Sequence, residues 1–282
     1  MSAIITLTTD FGTRDAYVAE MKGVMLDIAA SAGHTVHLID VTHEVAAHDV
    51  TEGALTLHAA APYFPPGSIH LAVVDPGVGT ARRGLVVRTE RSLLVGPDNG
   101  LFTPILATGE WQAFELASPQ YRLAHVSRTF HGRDVFAPAA AHLALGIVPE
   151  RFGPAISDPV RLAWPRAHRV TGGVAGRVIH VDHFGNLVTS ILADEVETLM
   201  ATGPVSVRLG RRTFPLVGTY GELSPGGGAG ALIGSRNRLE VAVRNGNAAT
   251  SLRAGVGMSV VLSRTKRAKT ERGKMARGRK NS

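Results

Sequence analysis

Four short runs rich in β-branched and aliphatic residues mark the early part of the chain: 4–10 (IITLTTD), 35–41 (TVHLIDV), 68–75 (SIHLAVVD) and 84–89 (GLVVRT). Their length and composition predict strands. Between the first two, RDAYVAEMKGVMLDIAASAG sets Tyr17, Val18, Met21, Val24, Met25 and Ile28 three or four apart, which predicts a helix stopped by Gly33. Between the second and third, HDVTEGALTLHAAAPYF places Asp49 and Glu52 three apart before an apolar stripe, as a capping box requires. Strands alternating with helices predict an α/β domain with a largely parallel central sheet. A later helix is expected over GRDVFAPAAAHLALG, with Asp134 near its start and Gly146 at its end.

The pattern changes near residue 165. WPRAHRVTGG has the Pro, Gly and charge content of a linker, and short β-rich runs follow: GRVIHVD, GNLVTSI, VSVRLG, RTFPLVG, RLEVAV and SVVLS. A Gly-rich loop, SPGGGAGALIGS, separates two of them, and one helix-like stretch, LADEVETLMA, interrupts. Short strands with almost no helix predict a small all-β domain, an antiparallel barrel or sandwich. The expected organisation is an α/β domain over 1–164, a linker over 165–173, a β-barrel over 174–263 and a basic disordered tail over 264–282.

Charge sharpens this division. Residues 264–282 hold nine Lys/Arg against one Glu, so the net +7 of the whole chain leaves residues 1–263 at about −1. The tail cannot build a core; it reads as a solvated extension, or as a weak electrostatic contact for nucleic acid. No apolar run reaches the length of a membrane span. The opening MSAIITLTTD reads as a strand rather than an export signal, so a cytoplasmic protein is expected. With no cysteine, disulfides and thiolate chemistry are excluded.

Chemistry is expected where strands end. In open α/β sheets ligands bind beyond the carboxyl ends of the strands, and Asp10 (DFGTRD) and Asp75 (DPGVGT) both stand there before glycine-bearing loops. A single Asp in that position commonly caps a turn. Two of them, with His131, Arg133 and Asp134 in FHGRD, favour a site. P-loop, Rossmann and G-x-S-x-G signatures are absent. Among twelve histidines no pair has the H-E-x-x-H spacing, so no metal is expected.

Taken together, ITLTTDFGTRDAYVAEMKGVM, DVTHEVAAHDVTEGA, VVDPGVGTARRG, GPDNGLFTP, TFHGRDVFAPAAAHLA and VDHFGNLVTSI resemble the S-adenosyl-L-methionine hydroxide adenosyltransferase family, related to the fluorinating and chlorinating enzymes. The resemblance runs from about residue 3 to residue 262. It implies an N-terminal α/β domain, a C-terminal barrel, and a homotrimer with active sites between one subunit's N-domain and its neighbour's C-domain. It implies hydrolysis of S-adenosyl-L-methionine to adenosine and L-methionine, without a cofactor, by Asp75, Arg82 and His131. Which of Asp75 and His131 takes the proton stays open at this point, and Arg83 is the neighbour that competes with Arg82.

For the substrate, the resemblance assigns Asp10 to the ribose hydroxyls, Phe184 and Asn186 to the adenine, and Asp182 to the methionine ammonium. Ser235 and Arg236 fall to its carboxylate, and the backbone near Val243 and Ala248 to the adenine edge. Two other outcomes remain: halide transfer to the same substrate, or a non-catalytic adenosine or S-adenosylmethionine sensor. The halogenating branch carries tyrosine at the position of Asp75 and tryptophan at that of His48, and a carboxylate at 75 suits water better than halide.

Overall fold

A computed structural model describes residues 2–265. Most of the basic tail, from residue 266 on, lies outside the described residues. The chain divides into two compact units, the first ending at Trp164 and the second beginning at Pro165.

The first unit contains β1 (Ala3–Thr9), α1 (Tyr17–Ser31), β2 (Val36–Thr42), α2 (Val50–Ala60), β3 (Ser68–Val73), β4 (Gly84–Thr89), β5 (Ser92–Pro97), α3 (Thr103–Leu106), β6 (Trp111–Glu115), α4 (Ala137–Ala144) and β7 (Ala155–Ile156). Its seven-stranded sheet has the order β2-β1-β3-β5-β4-β6-β7. The expected largely parallel sheet is corrected to a mixed one. Pairings are parallel from β2 through β5 and antiparallel from β5 through β7. The reason lies in the connections. Helical crossovers return the chain to the same starting edge and keep β1, β2 and β3 parallel, whereas β4 turns directly back into β5 and β6 comes in beside β4 after a connection that contains α3.

Alternation along each strand builds two cores. Ile69, Leu71 and Val73 of β3 face Met21 and Met25 of α1 and Ala139 and Ala140 of α4. Ala72 and the following Val74 join Ala54 and Leu57 of α2 and Leu101 and Phe102 on the other face. Asp49 caps α2 as expected, its Oδ1 accepting from Glu52 N at 2.9 Å. Glu52 does not close the box, however; its carboxylate accepts from Ala46 N at 3.0 Å instead. The helix expected over 132–146 opens with a π-turn, Gly132–Phe136, before α4.

The second unit contains β8 (His168–Val170), β9 (Gly173–Val181), β10 (Leu187–Leu192), α5 (Ala193–Met200), β11 (Val205–Leu209), β12 (Arg212–Pro215), β13 (Ala229–Ile233), β14 (Arg238–Val243), α6 (Ala248–Leu252) and β15 (Ser259–Arg264). An antiparallel path, β12-β11-β15-β9-β10-β14-β13, makes up its sheet, with β8 paired to β9. A bridge between Leu216 and Ala231 draws the two ends of the path together, so the sheet is a nearly closed barrel around Val178, Leu187, Ile191, Val207, Leu239, Val241 and Leu262. Two sequence expectations are corrected here. The supposed linker contains β8, which pairs with β9 across Thr171–Gly172. The Gly-rich loop contains β13, because its apolar half, AGALI, pairs along β14.

Candidate active site

The topology of the first unit brings Asp75 and Arg82 to one place. Strand β3 ends at Val73, and β4, which runs antiparallel to β5 and lies beyond it, begins at the same edge. Residues 74–83 therefore cross over the carboxyl end of β5 and return to the sheet. A turn at Asp75, closed by Val78 N to Asp75 O at 3.2 Å, has Pro76 in its second position, where a fixed φ is favourable. Gly79 has φ +78°, and a Cβ there would lie 2.4 Å from Arg128 O, so this position admits only glycine.

The outcome is a network centred on Arg82. Arg82 Nε donates to Asp75 Oδ1 at 2.8 Å, and Nη2 donates to Asp75 Oδ2. Nη2 also lies 3.0 Å from His131 Nδ1, and Nη1 donates to Arg83 O at 3.1 Å. The guanidinium lies 5.0 Å from the Phe136 ring centre. Both partners of the pair are largely buried, with side-chain exposures of 11 % for Arg82 and 6 % for Asp75. Because a guanidinium only donates, His131 Nδ1 accepts, which places the ring proton on Nε2. Burial pushes the His131 pKa below the ordinary imidazole value, and the Arg82 charge pushes it the same way. The ring is therefore neutral at pH 7.

Arg83, the competing neighbour, points elsewhere. It binds the buried Asp98 at 2.7 Å and Asp158 at 3.0 Å. Arg133 is likewise taken up structurally, by Asp134 and Glu20 at 2.7 Å each, and it covers Phe130. Asp10 follows β1, whose Thr9 is in register with Val73 of β3, so Asp10 and Asp75 emerge from neighbouring strands at the same edge. One Asp10 oxygen, Oδ2, accepts from His48 N at 2.9 Å, with His48 held at φ +67°. Among the described residues, no group of three or more His, Asp or Glu is placed to hold a metal ion.

In the second unit the turn between β9 and β10 gathers three of the expected residues. Asp182 Oδ1 accepts from Phe184 N at 3.0 Å and Asn186 N at 2.8 Å, and Oδ2 accepts from Asn186 Nδ2 at 2.9 Å. This locks the turn and leaves the Phe184 ring 71 % exposed at its tip. Ser235 and Arg236 occupy the exposed tip of the β13–β14 hairpin. Val243 and Ala248 have buried side chains in the barrel core, so they offer only backbone. Sequence reasoning missed two further groups beside Asp182: buried Glu240, and Tyr220, whose hydroxyl donates to Glu240 Oε1. The available signal was a lone acidic residue inside the apolar strand RLEVAV.

The family model described as the SAM hydroxide adenosyltransferase N-terminal domain matches residues 5–153, and the C-terminal domain of the same family matches residues 176–261. The chain belongs to the SAM hydroxide adenosyltransferase family. Similar members include an (R)-S-adenosyl-L-methionine hydrolase of Salinispora tropica, 42 % identical over 252 residues, covering 88 % of this chain and 93 % of the relative. A protein of the same name from Thermus thermophilus is 42 % identical over 262 residues, with 90 % and 97 % covered. A fluorinase of an Actinoplanes species is 30 % identical over 294 residues, with 93 % and 97 % covered. Among solved structures, an uncharacterized conserved protein of Thermotoga maritima superposes with a TM-score of 0.85 at 33 % identity, covering 92 % of this chain and 100 % of that one. In this chain the Asp75–Arg82–His131 network and Asp10 lie in the N-terminal match, and Asp182, Phe184, Asn186, Ser235, Arg236, Val243 and Ala248 lie in the C-terminal one.

Proposed function

We propose that the protein hydrolyses S-adenosyl-L-methionine to adenosine and L-methionine. The observation that carries this reading is the Asp75–Arg82–His131 network at the carboxyl edge of the sheet, in a chain 42 % identical to proteins named as hydrolases of this substrate. Water oxygen bonds to the ribose 5′ carbon as the carbon–sulfur bond breaks. The bonding pair stays on sulfur, and methionine leaves as a neutral thioether. No acid is needed for the leaving group, and one proton is released from the water.

The residues divide this work by their hydrogen bonding. His131 presents Nε2–H, a donor that orients the water. Asp75 keeps free lone pairs on a carboxylate held side-on by Arg82, so it accepts the water's hydrogen bond and takes the first share of its proton. General-base help of this kind contributes about 10²–10⁴-fold. Arg82 fixes the carboxylate and keeps a positive charge beside the developing oxyanion. Attack by an oxyanion on a sulfonium cancels charge, which exclusion of bulk water favours.

Asp10 holds the ribose hydroxyls, and Phe184 stacks on adenine. Asn186, whose Nδ2 is committed to Asp182, offers its carbonyl oxygen to the base, and Ser235 and Arg236 take the methionine carboxylate. The working assembly is a homotrimer with each site shared between the N-terminal unit of one subunit and the C-terminal unit of the next. The hydrolase relatives carry the descriptor (R). With the amino acid fixed as L and the ribose as D, it refers to the sulfonium sulfur, and the (R) epimer is the proposed preferred substrate.

The test is incubation with each sulfonium epimer, with and without chloride, beside Asp75→Ala and His131→Ala. Adenosine and methionine from the (R) form, independent of chloride and lost in both variants, are expected. A chlorinated nucleoside overturns the hydrolytic reading, and tight binding without turnover moves the protein to a sensor.

A further inference from the structure

Charge is divided unevenly between the two units. Residues 1–164 hold eleven Lys/Arg against sixteen Asp/Glu, a net −5, whereas residues 165–263 hold ten Arg against six Asp/Glu, a net +4. The positive excess is concentrated on one part of the barrel. Its consecutive strands β12, β11, β15 and β9, with β8 paired to β9, carry Arg212, Arg208, Arg264, Arg177 and Arg169, and Arg211 stands in the turn between β11 and β12. All six are exposed, and these five strands contain no Asp or Glu. In the first unit, by contrast, Arg82, Arg83, Arg88 and Arg133 are each taken by a carboxylate. Among the described residues none of the six barrel arginines makes an ion pair. Arg208 and Arg212 each spend one N–H on a carbonyl, Gly210 O at 3.1 Å and Ser251 O at 3.4 Å. A guanidinium has five donors, so most are left for a partner.

Strand register sets the surface out. Val207 and Leu209 of β11, and Val260 and Leu262 of β15, point into the core, so Arg208 and Ser259 face outward. Arg208 stands opposite Val261 and Arg177 opposite Ser259. The two arginines therefore share the outer face, two strands and two residues apart, a backbone separation of about 12 Å. Thr213, Ser263 and Ala175 beside them are short, which lets a bulky partner approach.

Repeated arginines without counter-charge suit a polyanion. A duplex offers one phosphate charge per about 1.7 Å of its axis, several for each of these side chains. Single strands are held by stacking on aromatic rings, and membrane surfaces by aromatic and apolar side chains beside basic ones. In these five strands the one aromatic ring, Phe214, is buried, and Val170 is the one exposed large apolar side chain. In sequence, eight further Lys/Arg against one Glu follow β15 over 266–282. We infer that the outer face of β8, β9, β11, β12 and β15 docks on double-stranded nucleic acid through its phosphates, without reading base sequence, and that the positive run after β15 adds charge to the same contact.

The experiment reads binding by the full chain and is independent of the proposed hydrolysis. Fluorescence anisotropy follows a mixed-sequence DNA duplex, the matching RNA duplex and the single DNA strand, and co-sedimentation follows phosphatidylserine vesicles, from about 50 to about 200 mM salt. Binding to either duplex, tighter than to the strand or the vesicles and falling linearly in log affinity with log salt, is expected. In the double variant Arg177→Ser/Arg208→Ser the slope should become shallower by about 2, one for each lost phosphate contact, with the mass by light scattering unchanged. If that variant does not fold, Arg211→Ser in the turn should make the slope shallower by about 1. Absence of duplex binding, or equal or tighter binding of the single strand or the vesicles, overturns the inference. So does an unchanged slope in the folded variant, which assigns the binding to residues 266–282, and so does a changed mass, which makes this face a contact between copies of the chain.

Discussion

Two adjacent arginines at the start of β4 serve different ends, and only one faces the proposed chemistry. Arg82 uses the planar fork of its guanidinium on Asp75 and reaches His131 with the same Nη2. A lysine ammonium at 82 cannot make the paired contact, so Arg82→Lys should lower kcat/KM by about 10²-fold or more with little change in melting. Arg83 instead neutralises Asp98, whose side chain is 2 % exposed. Removing it leaves a buried carboxylate supported mainly by Val160 N, so Arg83→Ala should cost about 3 kcal/mol of stability while the folded fraction keeps its kcat/KM. Steady-state kinetics and urea unfolding on both variants check this, and the reverse pattern would exchange the roles of the two residues.

Strand β3 carries a second titratable group on the face opposite the α1–α4 layer. His70 is buried, its Nδ1 lies 2.8 Å from Thr6 Oγ1, and desolvation lowers its pKa to about 4. The unfolded chain binds a proton there near pH 6.5, whereas the folded chain resists until about pH 4. Stability from this group is therefore complete above the unfolded value and falls as pH drops from 6.5 to about 4, by about 3 kcal/mol in all. His70→Gln keeps a hydrogen-bonding side chain without the charge, so its unfolding free energy should fall less steeply over that window; parallel slopes would refute the assignment.

The same strand shows what the sequence reveals. The ends of β1 and β3 were legible because apolar runs stopped at Asp10 and Asp75, whereas Arg82 was assigned to the same site only by the family resemblance. The antiparallel half of the sheet was not legible. The turn from β4 to β5 is Glu90-Arg91, which carries no Gly or Asn signal, and β7 is only two residues long. Glu240 escaped notice for a related reason: its value lies in what surrounds it in space, and its sequence neighbours are ordinary strand residues.

At the scale of the whole molecule, the proposed site draws its water-handling residues from the first unit and its amino-acid and adenine contacts from the second. If each site in the proposed trimer combines the N-terminal unit of one subunit with the C-terminal unit of the next, two inactive variants can repair each other. Asp75→Ala spoils the first half of a site and leaves the second intact, and Arg236→Ala does the opposite. Co-expressed and randomly assembled, the two should yield intact sites at about one quarter of the total by the statistics of a closed ring, with the spoiled residues segregated into the remaining sites. Light scattering fixes the trimer, and the hydrolysis rate of the mixed preparation reads the sharing. Recovery near one quarter of wild-type kcat supports sites shared across subunits. A mixture no more active than its two components places both halves of each site within one chain.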